Sequence, residues 1–171
     1  MASQPLPKSG PITPMLWFDG VAEEAANLYV SVFPNSRITA VSRYSEAGQE
    51  VHGQPPGSAM VVAFELDGQP FTALNGGPQF EFTEAISLQI SCETQEQIDW
   101  YWDRLSEGGD LAAQNCGWLK DRFGVSWQVT PTIIGEVLGG RGDPAAAARV
   151  TSAFMAMKKL DIAALEAAAG E

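Results

Sequence analysis

Histidine occurs once in this chain of 171 residues, cysteine twice, and Lys and Arg together only ten times against 21 Asp and Glu. Each scarcity removes a class of function. A net charge of −11 offers no basic surface to displace phosphate counterions, so nucleic acid is not an expected partner. Cys92 and Cys116 form neither a CxxC pair nor a zinc spacing, and read as free thiols, buried or half-buried. The lone His52 sits in "EVHGQPPG", a stretch that reads as an exposed loop, and no Ser-His-Asp set can be assembled around it. No apolar run approaches the ~20 residues needed to cross a bilayer, so no membrane partner is expected. The opening "MASQPLPKSGP" is polar and proline-rich, without the apolar stretch of a signal peptide. Its first ten residues are expected to fray, and a cytoplasmic location is the expectation.

What is present is a globular composition. Hydrophobic residues make up 45% and charged residues 18%, too apolar for a disordered chain. A chain of this length buries roughly 70% of the surface its unfolded form exposes, enough for a sizeable core.

The chain also repeats itself. "LWFDGVAEEAANLYVSVF" begins at Leu16, and "LQISCETQEQIDWYWDRL" at Leu88, without a gap in the match. Few residues are identical, but apolar and polar positions coincide. Each copy predicts a short strand, a turn and an amphipathic helix. In the first helix Ala22, Ala25, Leu28, Tyr29, Val32 and Phe33 recur at helical spacing, and Pro34-Asn35 stop it. In the second, Thr94 with Gln97 has the capping-box pattern, and Ile98, Tyr101, Trp102 and Leu105 form the expected buried stripe.

Strands follow each helix. The first half offers "SRITAVSRY", "AMVVAFEL" and "QPFTALNGG", the last two joined by the hairpin signal Asp67-Gly68. In the second half "DLAAQNCGWLKDRFG" predicts two strands and "VSWQVTP" the last. Aligning the turn at Phe123-Gly124 with Asp67-Gly68 places Trp127 over Phe71 and Gln128 over Thr72. The fold class is therefore α+β: two tandem βαβββ modules with curved mixed sheets, followed by C-terminal helices. The expected boundaries are 11–82 and 83–131 for the modules and 132–171 for the helices, as one structural unit. In the tail, "TPTIIGEVLGG" reads as a short helix. "DPAAAARVTSAFMAMKKLDIAALEAAAGE" reads as helical, with Asp143-Pro144 at its start and Val150, Phe154, Met157 and Leu160 as an apolar stripe. The glycine cluster "LGGRGD" follows a helix and reads as a loop, as does its Arg141–Asp143 tripeptide.

"LWFDGVAEEAANLYVSVFPNSRI", "FELDGQPFTALNGGP", "QISC", "DRFGVSWQVTP" and the terminal "MKKLDIAALEAA" resemble the PhnB-like branch of the vicinal oxygen chelate superfamily. That superfamily includes glyoxalase I, bleomycin-resistance proteins and extradiol dioxygenases. The branch is often labelled 3-demethylubiquinone-9 3-methyltransferase. The resemblance runs from about Pro11 to the C-terminus. It implies a homodimer and a cavity inside each curved sheet. In enzymatic relatives that cavity holds a divalent metal, gripped by two first-strand and two last-strand residues.

Carried onto this chain, the first-strand positions fall near Met15 or Trp17 and near Ser87 or Gln89, and the last-strand positions at Thr72 and Gln128. None is His, Asp or Glu. Two neutral amides are too few to hold a divalent cation against water, so no metal and no other cofactor is expected. The expected function is metal-free binding of a small organic molecule, or metal-independent catalysis. The catalytic residues stay unassigned. Candidate ligand-binding residues are Trp17, Phe71, Trp118 and Trp127 as walls, with Phe80 and Phe82 at the mouth and Asn75, Gln89 and Gln128 as polar contacts. Two alternatives remain. One is a methyltransferase, as the family label suggests. The other is a glyoxalase- or dioxygenase-type metalloenzyme. The glycine turns lack the strand-turn-helix setting that a nucleoside methyl donor needs, and the ligand positions lack metal donors.

Overall fold

A computed structural model describes residues 12–139 and 143–170. The first ten residues and the Arg141-Gly142 part of the glycine cluster lie outside the described residues. The chain divides into two compact units, with the boundary between Glu81 and Phe82.

The first unit runs β1 (Met15–Phe18), α1 (Ala22–Val32), β2 (Arg37–Arg43), α2 (Gln49–His52), β3 (Ala59–Leu66) and β4 (Gln69–Asn75). Its four-stranded sheet has the order β1-β4-β3-β2, with β1 parallel to β4 and the other pairs antiparallel. The Asp67-Gly68 signal is realised as a two-residue turn with φ of 45° and 81°, the left-handed pair that suits the twist of a hairpin. His52 is not in a loop. It closes the single helical turn of α2, half-buried, with its ring 4.5 Å from that of Tyr44 and its Nδ1 accepting the amide of Gln54.

The helix and sheet of this unit meet on one face, because strand side chains alternate. Leu16, Phe18, Val62, Phe64, Phe71 and Ala73 are buried there, with Tyr29 of α1 packed on Phe64. The helix begins at Val21, which has no capping side chain. Asn75 of β4 fills that role from a distance. Its Oδ1 accepts the amide of Ala22 at 2.8 Å, and its Nδ2 donates to the carbonyl of Ala59 at 2.9 Å.

The second unit runs β5 (Leu88–Cys92), α3 (Gln95–Ser106), β6 (Trp118–Lys120), β7 (Ser126–Pro131), α4 (Thr132–Leu138), α5 (Pro144–Met155) and α6 (Ile162–Gly170). Its sheet has three strands, in the order β5-β7-β6. The predicted capping box forms: Thr94 Oγ1 accepts the amide of Gln97, and Gln97 Oε1 accepts that of Glu93. Ile98, Trp102 and Leu105 are buried as expected, and Tyr101 only partly.

Three expectations need correcting. First, "DLAAQNCGWLKDRFG" supplies one strand, β6, not two. Leu111–Ala113 is a 3-10 turn, held by the Asp110 carboxylate accepting the amide of Ala112 at 2.8 Å. Second, the alanine-rich tail is two helices. Between them the carbonyls of Met157 and Lys158 accept the amides of Cys116 and Gly117, both at 2.8 Å, so they are not spent inside a helix. Asp161 then caps α6. Gly117 is obligatory at this crossing, because a Cβ there would lie 2.8 Å from Leu160 Cδ1 and 2.9 Å from the Val129 carbonyl.

The third correction concerns register. Leu16 pairs with Ala73 in the first sheet, and its repeat partner Leu88 pairs with Trp127 in the second. Trp127 therefore corresponds to Ala73 and Gln128 to Leu74, two residues beyond the expected partners. The two turns differ in length: Leu66 pairs with Gln69, whereas Lys120 pairs with Ser126. A shift of two keeps every side chain on its expected face.

The C-terminal helices form a second core in this unit, centred on Val150, Leu160 and Leu165 with Ile133, Ile134, Phe154 and Met157 around it. Gln95 of α3 ties them down, donating to the Leu160 carbonyl and accepting the Ile162 amide. Among the described residues no helix is long and apolar enough to cross a membrane.

Candidate functional site

Alternation along β7 decides which candidate residues can share a wall. Trp127 and Gln128 are neighbours, so they face opposite sides of the sheet. Trp127 is the buried one. Its indole lies at 2% exposure on the α3 side, and Nε1 donates to Asp121 Oδ2 at 2.8 Å. The other oxygen of that buried carboxylate accepts the amides of Phe123 and Val125. This aspartate shapes the turn before β7 and anchors the tryptophan, a role that the sequence reading did not assign to it.

Phe71 and Asn75 also lie on a helix-covered face. Phe71 stacks on Phe64 at 5.5 Å, and both ends of the Asn75 amide are bonded. These three residues were expected at a ligand cavity, and the structure places them in the core. Trp17 takes the other face of the first sheet, half-buried. It lies so close over Gly76 that a Cβ there would be 2.1 Å from its ring. Its Nε1 donates to the Gly77 carbonyl at 2.8 Å, and Phe80 meets it edge-on at 4.9 Å. The glycines of "ALNGGP" thus seat an indole.

Gln89, Gln128 and Trp118 come together on the face of the second sheet that α3 does not cover. Gln89 and Gln128 are register partners on β5 and β7, and Trp118 is the register partner of Gln128 on β6. A cavity of about 810 Å³ opens there, lined by Gln89, Ser91, Gln128 and Thr130 from the strands and by Ile134 and Glu136 of α4, among others. A second cavity of about 580 Å³ shares Gln128, Thr130 and Ile134, and adds Trp118, Cys116 and Phe154. Phe82 is half-buried beside the Gly124 turn and lines neither. The contribution of α4 and α5 was missed in the sequence. Ile134 and Glu136 of α4 and Phe154 of α5 join the strands in lining the two cavities.

Hydrogen bonds fix the two glutamines. Gln89 Nε2 donates to Thr130 Oγ1 at 3.2 Å, and Gln128 Nε2 donates to Ser87 Oγ at 2.7 Å. On the first sheet the corresponding face carries Trp17, Val61, Ala63 and Leu74, all half-buried.

The donor set does not fit a divalent metal. Met15, Trp17, Thr72, Ser87, Gln89 and Gln128 provide no imidazole and no carboxylate, and a two-residue shift brings in only Leu74 and Thr130. Among the described residues, no three His, Cys, Asp or Glu side chains gather. Both cysteines are free. Cys92 is fully buried, and burial pushes its thiol up to about 11.

Residues 10–130 match the model of the family described as 3-demethylubiquinone-9 3-methyltransferase. A search of curated proteins found no match. Among solved structures, a PhnB protein from Bacillus cereus is 37% identical, with a TM-score of 0.63, covering 71% of this chain and 98% of its own. A protein from Pseudomonas aeruginosa shares the fold at 19% identity and a TM-score of 0.53, over 70% of this chain and 96% of its own. A Staphylococcus aureus protein is 28% identical over 73% of this chain and 96% of its own, with a TM-score of 0.31. By sequence match and by paired modules, this chain belongs to the 3-demethylubiquinone-9 3-methyltransferase family, in its PhnB-like branch.

Proposed function

We propose that the chain binds a small, planar organic molecule on the uncovered face of the second sheet, with its own side chains and without a catalytic metal. The observation that carries this reading is the pairing of Gln89 with Gln128 across β5 and β7 on the wall of an 810 Å³ cavity. A cavity of this size suits a small ligand, and amides among apolar walls orient one by hydrogen bonding. Turnover, where it occurs, then proceeds by positioning and hydrogen bonding alone. We place this activity in a cytoplasmic homodimer, the assembly that the family resemblance implies. Sedimentation at micromolar concentration tests the dimer.

Methyl transfer is the second reading, favoured by the description of the matched family. The glycine turn Gly76-Gly77 is taken up by the Trp17 indole, which leaves it unsuited to a nucleoside.

A titration of 15N-labelled protein with benzamide separates these readings. Metal-free binding predicts shifts at the Gln89 and Gln128 side-chain amides that persist in EDTA. Binding that vanishes in EDTA, or shifts confined to the first unit, would overturn the proposal. Saturable binding of S-adenosylmethionine in the same assay would favour methyl transfer instead.

A further inference from the structure

The polarity of the cavity specifies its ligand further. Thr130 Oγ1 donates its single proton to the Ile90 carbonyl at 3.2 Å. It must therefore accept from Gln89, and this sets the orientation of the Gln89 amide: nitrogen toward Thr130, carbonyl oxygen left over. Gln128 Nε2 donates to Ser87 Oγ at 2.7 Å. Both amides thus leave their carbonyl oxygens to whatever enters, each with one further N–H beside it. Glu136 of α4 adds a carboxylate to the wall. Among the described residues lining either cavity there is no Lys, Arg or His. Lys120, on the same side of the sheet, is engaged by Glu84 at 2.6 Å.

Resting on the binding site proposed above, we infer that this cavity selects a planar, donor-bearing ligand, such as an amidine, a guanidine or an amino-heterocycle, over a carboxylate or phosphate. A carboxylate would meet the like charge of Glu136 and find one neutral N–H on each amide but no side-chain cation. An amidinium would place its N–H groups on the Gln89 and Gln128 oxygens and its charge near Glu136. Apolar walls from Pro131 and Ile134 suit a flat ring. Glu136 and Ile134 lie beyond residue 130, where the match to the family ends.

Three near-isosteric probes test this by NMR titration: benzamidine, benzamide and benzoate. Benzoate is the informative competitor, because it keeps the ring and the planar shape and reverses the charge. The expected order is benzamidine tightest and benzoate weakest, about tenfold apart. Glu136→Gln should weaken benzamidine about three- to tenfold and leave benzamide unchanged, since an exposed carboxylate contributes modestly. Gln89→Leu should weaken both. If benzoate binds as well as benzamidine, or Glu136→Gln has no effect on benzamidine, the selectivity is overturned while the site stands. If none of the three shifts resonances of the second unit, the binding site itself falls, and the selectivity with it.

Discussion

The two sheets are built alike and finished differently. In each, the face toward the helix is buried and largely apolar: Phe64, Phe71 and Ala73 against α1, Ile90, Trp127 and Val129 against α3. The opposite faces diverge. Trp17, Val61, Ala63 and Leu74 make that of the first sheet largely apolar, and Trp17 is locked over Gly76. The second presents Gln89, Ser91, Gln128 and Thr130 to a cavity walled by α4. The two modules share the buried face that drives folding and differ on the other. Burial on the helix side constrains residues by volume. The other side tolerates any residue that pairs its polar atoms or meets water.

The largest expected effect tests whether the covered faces are equivalent. Trp127→Ala and Phe64→Ala should each cost about 3–5 kcal/mol in urea unfolding, the range for large buried aromatics. Trp127→Ala also removes the indole hydrogen bond to Asp121 Oδ2, which places it at the upper end. A cost below about 1 kcal/mol for Trp127→Ala would return that ring to the cavity and dissolve the comparison.

The long strands and the main helices were largely legible in the sequence, and the connections between them were not. "AMVVAFEL" and the Thr94-Gln97 box are local signals, and both stand where they were expected. The 3-10 turn at Leu111–Ala113 was hidden because Asp110 competes for the backbone with its own carboxylate. The break between α5 and α6 depends on the amides of Cys116 and Gly117, some forty residues away, which no window of the tail contains. At the candidate site, the sequence reading named Gln128 and Gln89 together, and the structure places them as register partners opposite the buried stripe. Trp127 was misjudged because an indole reads equally well as a pocket wall or as core. Its adjacency to Gln128 was the signal that could have decided the matter.

A smaller effect sharpens the comparison by pH. Cys92 is buried on the covered side of the second sheet, and burial raises its thiol from 9.0 to about 11. Below pH 9 the thiol is neutral folded and unfolded, and its contribution is fully present. Between pH 9 and 11 the unfolded chain ionises first, so stability falls as pH rises, by about 2 kcal/mol in all. Cys92→Ala removes that slope. Urea unfolding of both proteins at pH 8 and 10.5 should therefore show their difference narrowing at the higher pH. An unchanged difference would mean that the thiol is hydrated in the folded state.

The smallest expected effect is the most discriminating. Gln128 and Leu74 occupy corresponding positions on the two uncovered faces, so exchanging their residue types tests the division of labour directly. Gln128→Leu breaks one hydrogen bond, to Ser87, on a face that water reaches, and should change stability by less than about 0.5 kcal/mol. It should nonetheless weaken benzamide binding about tenfold, because an acceptor on the cavity wall is gone. Leu74→Gln should cost about 1 kcal/mol, since it sets an amide among the half-buried Trp17, Val61 and Ala63. It should leave benzamide binding untouched. If the costs were reversed, the first face would be the wet one and the second the packed one. The assignment of ligand binding to the second sheet would then have lost its physical basis, even with both helices and both cores in place.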